Sequence, residues 1–434
     1  MSSVRQQAED LLGFIDASPS PWHAAATIAS RLQAQGFQRL QENADWQLTR
    51  NSRYYVIRDD SSLIAFITGM QSPVETGFKI LGAHTDSPGL RLKPNPLLQT
   101  DNMQRLALDI YGGPILASFT DRDLSLAGRI AILDADGQIQ LRLLKFPQTL
   151  LRLPNLAIHL NRTVNEDGLK LNKQTELAAI FSASANQQIK ASQFLALLSD
   201  AAQVDADRIL SWELAVYDTQ PGAFWGAEQE FISNSQLDNL ASCHAGLTAL
   251  LMDVDQAQPC TRVCAFFDHE EVGSESSKGA AGSFLSDVLQ RLLMTNKHKT
   301  GEFQQALAQS FMVSADMAHA YQPNYPGSYE PNHRVFVNQG PVIKINVNQR
   351  YATDCHSEAR FIAYCRAASV PYQKYAHRGD LPCGSTIGPL SASRLGVSTV
   401  DVGSPMWAMH SIRESAGVHD HGYMIKVLQR FFCD

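Results

Sequence analysis

The 434-residue sequence lacks three features that would assign it to common classes of binding or exported protein. It has no basic excess: 36 Lys and Arg residues stand against 43 Asp and Glu residues, and the formal net charge of −7 would not attract a nucleic-acid backbone. No apolar run approaches the roughly 18–20 residues that a membrane helix needs. Residues 1–16 mix charged and apolar side chains, unlike the core of a signal peptide. We therefore expect neither nucleic acid nor a membrane as a partner.

The sequence also lacks a disulfide framework and a dinucleotide motif. Its seven cysteines are an odd number, scattered without a Cys-x-x-Cys pair, which is typical of core thiols in a reduced, cytoplasmic protein. No Gly-x-Gly-x-x-Gly follows a predicted strand, which excludes a nicotinamide-binding interpretation. The composition, 44% hydrophobic and only 18% charged, is that of a compact folded chain. The length favours two domains, one of which could be inserted in the other.

The order of apolar patterns predicts where these two domains lie. Two helices open the chain, the second starting at Ser20, and three β-rich runs follow, the last of which ends at His84. From about residue 93, alternating patterns such as Ile139, Leu141 and Leu143 predict half-buried antiparallel strands. After about residue 230 a β-then-α order returns.

We therefore predict an α/β fold in which a doubly wound mixed sheet is flanked by helices. Residues 1–92 and 231–434 are expected to form this domain. Residues 93–230 are expected to form an inserted β-rich domain.

Five short segments place acids or histidines at or near the ends of predicted strands. Each segment alone is a weak indication, because single histidines and paired acids usually lie on the surface. Surface acids, however, have no reason to follow apolar strands. The segments are His84-Thr85-Asp86, Asp238-Asn239, Asp268-His269-Glu270-Glu271, Ser314-Ala315-Asp316 and Met409-His410-Ser411.

Carboxylates that converge in one cleft raise each other's pKa unless a cation neutralises them, so these segments predict a metal site. Mixed imidazole and carboxylate ligands favour zinc or a similar ion over calcium. Two metal ions balance the negative charge better than one. Two neighbouring metal ions also activate a water molecule for hydrolysis.

The same segments, read at greater length, resemble the aspartyl aminopeptidase family of co-catalytic dinuclear zinc exopeptidases. The resemblance covers nearly the whole chain and includes the Thr120–Leu124 and Gly384–Pro389 segments. One departure is Gln236, where an Arg is expected in much of the family. The motifs are His-Thr-Asp-Ser-Pro from His84, Leu-Asp-Asn from Leu237, Asp-His-Glu-Glu-Val-Gly-Ser from Asp268, Ser-Ala-Asp-Met-Ala-His-Ala from Ser314 and Met-His-Ser-Ile-Arg-Glu from Met409.

The resemblance implies a ligand set for two Zn²⁺ ions per subunit, which Mn²⁺ or Co²⁺ could replace. His84, Asp238 and Asp316 would hold one ion, and Asp238, Glu271 and His410 the other. Glu270 would be the general base and Asp86 would orient His84. The family pattern also implies a strained or cis peptide bond after Asp238.

The resemblance further implies the substrate and the assembly. Lys344 and Tyr351 would recognise the side chain of an N-terminal Asp or Glu, and a Lys between two Ile residues does require an anionic partner. His159, in the insertion, would reach the active site of the neighbouring subunit, so that residues 93–230 would act as a dimerisation or lid domain. The expected form is a homodimer that assembles into a homododecamer and admits short peptides.

Three alternatives remain open at this point. A di-zinc aminopeptidase of neutral specificity and an N-acyl amino acid amidohydrolase would use the same scaffold. An inactive assembly or cargo-binding relative would keep the fold, although it has no physical need for Glu270 and all five ligands.

Overall fold

The computed structural model describes residues 3–183, 192–293 and 300–434. Its strands and helices, numbered in chain order, form three sheets and the helices that cover them. The first and largest sheet has the strand order β1 (Gln38–Leu40), β2 (Arg53–Arg58), β3 (Ser62–Ile67), β13 (Thr261–Phe267), β4 (Phe78–His84), β14 (Phe311–Ala315), β18 (Ser398–Gly403), β16 (Val342–Ile345) and β17 (Gln373–Ala376).

The other two sheets are smaller. The six-stranded sheet is antiparallel and has the order β8 (Ile139–Lys145), β7 (Leu124–Leu133), β10 (Ile209–Asp218), β5 (Gly89–Thr100), β6 (Met103–Tyr111) and β9 (Ala178–Ala183). The five-stranded sheet has the order β11 (Ala223–Trp225), β12 (Phe231–Asn234), β20 (Glu414–Gly417), β19 (Pro405–Trp407) and β15 (Ala318–His319).

The α-helices in the described part of the chain vary from one turn to 16 residues. They are α1 (Val4–Asp16), α2 (Pro21–Ala34), α3 (Pro73–Thr76), α4 (Val164–Asp167), α5 (Ser192–Ala202), α6 (Leu237–Met252), α7 (Phe284–Leu293), α8 (Glu302–Gln309), α9 (Cys355–Ala367), α10 (Ile387–Leu395) and α11 (Val418–Cys433). In the described ranges, no helix combines the length and apolar character needed to cross a bilayer.

The central sheet is covered by helices on both faces, which confirms the predicted α/β class. One apolar cluster joins alternate residues of the strands, such as Leu63 and Phe266, to α1, α2, α6, α9 and α11. The intervening residues, such as Ile64 and Ala265, pack with α7, α8 and α10 on the opposite face. Strands buried on both faces read as nearly continuous apolar runs, which is why they were visible in the sequence.

The six-stranded sheet is built from residues 89–218 and has an apolar cluster of its own, to which Ile412 also contributes. The division of the chain at residues 92/93 and 230/231 stays a prediction. One detail of the sequence pattern was wrong. Ile139, Leu141 and Leu143 are between 42% and 68% exposed, because β8 is an edge strand whose opposite face carries the buried Leu144.

Helix α6, which begins next to the predicted metal site, packs unusually close to β4. A Cβ atom on Gly246 would lie 1.7 Å from Cδ2 of Leu81, a fully buried side chain. Gly13, in the exposed face of α1, has no heavy atom within 4 Å of such a Cβ. Close packing of α6 on β4 therefore requires glycine at position 246, whereas no packing contact within the described residues requires glycine at position 13.

We predict that the same substitution changes stability in opposite directions at these positions. Gly13→Ala should stabilise the protein by up to about 1 kcal/mol, the difference in helix propensity. Gly246→Ala should destabilise it by about 1–3 kcal/mol, because overpacking against Leu81 exceeds that gain. Thermal unfolding of the two variants measures this, and a higher melting temperature for both would contradict the close packing of α6.

Candidate active site

Three neighbouring strands of the central sheet deliver their acids and histidines to one edge. β13, β4 and β14 are parallel, and their register places Phe267 beside His84 and Ser314 beside Gly82. His84 is the last residue of β4, and Asp316 directly follows β14. Glu270 and Glu271 lie in the turn after β13. The carboxyl ends of parallel strands are where α/β proteins bind ligands.

The remaining two residues come from other elements. Asp238 is in the first turn of α6, where Asn239 Nδ2 donates to the carbonyl of Ala315 at 2.8 Å. The peptide bond between Asp238 and Asn239 is cis, as the family pattern implied. His410 lies in the turn between β19 and β20.

Asp238 is shared by two overlapping groups of possible metal ligands. In one group, His84 Nε2 lies 3.4 Å from Asp238 Oδ1 and 3.6 Å from Asp316 Oδ1. In the other, His410 Nε2 lies 3.6 Å from Asp238 Oδ2 and 3.5 Å from Glu271 Oε2. One carboxylate oxygen of Asp238 therefore faces each histidine. In each group the ligand atoms all lie within 4.8 Å of one another.

These residues fit a zinc ion. Two ligand atoms about 2.0–2.1 Å from a tetrahedral zinc lie roughly 3.3 Å apart, close to the N–O separations found here. Asp238 Oδ1 is buried and accepts no hydrogen bond from the described residues. A buried carboxylate oxygen without a donor is costly unless a cation satisfies it.

The pKa values of the acids and histidines in the site also reflect a shortage of positive charge around the buried carboxylates. Burial, together with the neighbouring carboxylates, raises the pKa of Glu270 to about 8 and that of Glu271 well above its ordinary value. Burial opposes protonation of the histidines, but Asp238 and its neighbours outweigh it, raising the pKa of His410 to about 9 and that of His84 well above its ordinary value. A divalent cation bound here would neutralise the same negative charge, so that these side chains would no longer need to be protonated.

Asp86 holds both sides of the site in place. His84 Nδ1 donates to the backbone carbonyl of Asp86 at 3.0 Å and lies 3.4 Å from its carboxylate. The Asp86 carboxylate accepts hydrogen bonds from the backbone N–H groups of Glu270 at 3.2 Å and Glu271 at 3.1 Å. The Tyr111 hydroxyl donates to the same carboxylate at 2.7 Å.

Glu414 is a functional candidate that the sequence did not single out. Its carboxylate is fully buried and accepts from the backbone N–H of Asp238 at 2.9 Å and of His410 at 2.6 Å. It therefore ties together the two segments that carry these side chains. It stands inside the Met409–Glu414 motif, but nothing in that spacing indicates a bond to a residue 176 positions earlier. The side-chain amide of Gln236, the departure from the family pattern, donates to Ser18 O at 3.4 Å.

Lys344 lies beside the first group of ligands. Its Nζ atom is 3.5 Å from Asp316 Oδ2 and 5.2 Å from the ring centre of Tyr351, and its side chain is buried. His319, which the sequence analysis did not single out, lies near this lysine: burial and then the Lys344 charge lower its pKa to about 4. His159 lies in an exposed surface turn.

A mixed α/β sheet with two overlapping His and carboxylate groups at its strand ends is typical of metal-dependent hydrolases. The family model of the aminopeptidase I zinc metalloproteases (M18) matches residues 14–432. The chain therefore belongs to the M18 family of zinc metalloaminopeptidases, which confirms the resemblance seen in the motifs.

Curated relatives agree with this assignment over nearly their full length. The "Probable M18 family aminopeptidase 2" of Pseudomonas aeruginosa (strain UCBPP-PA14) is 47% identical over 428 residues, which are 98% of this chain and 97% of that protein. The protein with the same description from Azotobacter vinelandii is also 47% identical over 428 residues, with the same coverage of both chains.

Solved structures show the same fold. The cryo-EM structure of the Ape4 and Nbr1 complex matches with a TM-score of 0.95 and 36% identity, covering 99% of this chain and 86% of that one. The Saccharomyces cerevisiae mApe1 dodecamer matches with a TM-score of 0.87 and 26% identity, covering 99% and 96%. The M18 aminopeptidase of Thermotoga maritima, 21% identical with a TM-score of 0.85 and coverage of 99% and 96%, shares the fold.

Proposed function

We propose that this metalloaminopeptidase uses two zinc ions to remove an N-terminal Asp or Glu from short peptides. The observation that carries the proposal is the position of Asp238, whose two oxygens face separate groups of ligands. His84, Asp238 and Asp316 would hold one ion. Asp238, Glu271 and His410 would hold the second, and Mn²⁺ or Co²⁺ could replace either. Zinc bound there would lower the pKa of a coordinated water and polarise the scissile carbonyl.

Glu270 is the proposed general base. A carboxylate oxygen of Glu270 lies within 4.8 Å of a His84 ring nitrogen and a Glu271 oxygen, so it borders the cluster. Its backbone is held by Asp86, which keeps the side chain in reach of the reacting atoms. Glu270 would accept a proton from the attacking water on one carboxylate oxygen and deliver it to the amine that leaves.

We predict that Glu270→Gln keeps the zinc content of the protein and lowers kcat by about 10²–10⁴-fold, the usual contribution of a general base. Metal analysis and steady-state kinetics measure the two quantities. Glu275→Gln, the same change at an exposed acid nearby, should leave both unchanged. Loss of zinc from the Glu270 variant would mean that Glu270 is a ligand rather than the base.

The acidic specificity rests on Lys344 and Tyr351. A buried ammonium beside Asp316 would place a positive charge next to the ion that this residue would bind, where the first side chain of the substrate enters. Tyr351 is buried under the same ammonium. A buried cation of this kind strongly favours an anionic side chain over an apolar one.

We predict that kcat/KM is higher for Asp and Glu substrates than for Leu or N-acylated substrates. Lys344→Met should reduce kcat/KM for the Asp substrate by about 100-fold, because the substrate carboxylate loses its buried partner, with a much smaller change for Leu. Zinc analysis of the variant controls for an effect through Asp316. A wild-type preference for Leu would support the neutral-specificity alternative instead.

The insertion, residues 93–230, is proposed to be a dimerisation and lid domain beside a catalytic domain of residues 1–92 and 231–434. His159 is exposed, and its neighbours Leu156, Ile158 and Leu160 are between 47% and 75% exposed. An exposed apolar turn is typical of a contact surface. We propose that this turn carries His159 into the site of a second subunit, in a dimer that assembles further into a dodecamer like mApe1.

Mixing two inactive variants would test this arrangement. We expect His159→Ala and Glu270→Gln to be nearly inactive by themselves, and His159→Ala to keep its zinc. When the two are co-expressed with different tags, mixed oligomers should regain activity, because the intact Glu270 of one subunit meets the intact His159 of another. Mixed oligomers that stay inactive would indicate that His159 does not act across subunits.

A further inference from the structure

The end of strand β6, in the six-stranded sheet, passes directly against the proposed metal centre. Tyr111 is the last residue of β6, and its hydroxyl donates to the fully buried carboxylate of Asp86. That carboxylate also accepts the backbone N–H groups of Glu270 and Glu271. One hydroxyl of the six-stranded sheet therefore contributes to the group that positions both glutamates.

The residues that follow Tyr111 hold the other side of the centre. His410 Nδ1 donates to the carbonyl oxygen of Gly113 at 3.1 Å, and Ile115 N–H donates to the carbonyl of His410 at 2.9 Å. Since a carbonyl can only accept, the proton of a neutral His410 lies on Nδ1 and Nε2 keeps its lone pair. Nε2 is the atom that faces Asp238 and Glu271.

The backbone at this point also approaches the cluster closely. Gly112 has a φ of +68°, and a Cβ atom there would lie 3.1 Å from both Cβ and the carbonyl oxygen of Glu271. Glycine permits both the left-handed conformation and the close contact. Three consecutive residues of the segment, 111–113, thus contact three different parts of the site.

We propose that residues 111–115, here called the support segment, position the metal ligands, so that zinc affinity depends on how the six-stranded sheet sits against the catalytic core. Tyr111 acts through Asp86 on the turn that carries Glu271. Gly113 and Ile115 act on His410. The inference rests on the proposed dinuclear zinc site. Hydrogen-bond partners behind metal ligands typically contribute 10–100-fold to metal affinity or activity.

The competing interpretation is that these bonds merely join the six-stranded sheet to the rest of the protein. It predicts a loss of stability with no change in zinc binding. Tyr217 offers a matched control, because it lies on β10 of the same sheet and its hydroxyl donates to the carbonyl of Phe146 instead of to a site residue.

The first experiment compares Tyr111→Phe with Tyr217→Phe in the full-length protein. Each variant loses one hydroxyl and keeps its ring. We expect Tyr111→Phe to weaken zinc binding about 10–100-fold in competition with a chelator and to shift the visible absorption bands of the Co²⁺-loaded protein. Tyr217→Phe should lower the melting temperature without either effect. Equal zinc affinity and equal Co²⁺ spectra in both variants would overturn the proposal.

The second experiment removes a single backbone donor. Ile115 has φ −75°, which proline can adopt, so Ile115→Pro deletes the N–H that bonds His410, and the proline Cδ atom displaces the His410 carbonyl that accepted this bond. Ile115→Ala removes the side chain and keeps the N–H. We expect faster loss of zinc to a chelator for the Pro variant and wild-type behaviour for the Ala variant. Equal rates of zinc loss in the two variants would overturn the role of this bond.

Both experiments measure zinc without substrate. A wild-type protein that binds zinc and does not cleave acidic peptides would therefore overturn the proposed specificity and not the support segment. Unchanged zinc binding in the Tyr111 and Ile115→Pro variants of an active wild-type enzyme would overturn the support segment and not the function.

Discussion

Mutual repulsion among buried carboxylates is the constraint on which this structure depends. Asp86, Asp238, Glu271 and Glu414 all lie in or beside one small volume with little access to water. Such a group is unfavourable unless each charge meets a donor or a cation. Backbone N–H groups satisfy Asp86 and Glu414, and the pair His84 and His410 faces Asp238. The carboxylate oxygens and imidazole nitrogens that point inward are the atoms that a metal ion would bind, in agreement with the zinc metalloprotease family to which the chain belongs.

The central sheet brings these carboxylates and histidines together. Parallel strands in register end at the same edge, so residues about 180 to 230 positions apart in the chain become neighbours without a special local motif. The apolar clusters on both faces of the sheet make this edge rigid. A metal site needs that rigidity, because small displacements of its ligands are costly.

The six-stranded sheet contributes contacts to this site. Its support segment contacts Asp86, Glu271 and His410, while its exposed turn around His159 lies on the surface. The proposed insertion would thereby connect the proposed metal ligands with the proposed subunit contact around His159. The exposed apolar face of β8 belongs to the same sheet. Alternation of apolar and polar residues therefore predicts a strand, but it does not predict which face of the strand is covered.

The sequence by itself determined the fold class, the positions of many strands and helices, the segments that carry the candidate site residues, and the family. Those features leave local traces: apolar strands, caps, and acids placed directly after strands. Only the tertiary structure decided that each oxygen of Asp238 faces a different histidine, that Glu414 joins two distant backbone segments, and that Tyr111 supports Asp86. These are contacts between residues far apart in the chain, and spacing carries no information about them because they arise from how strands and turns pack.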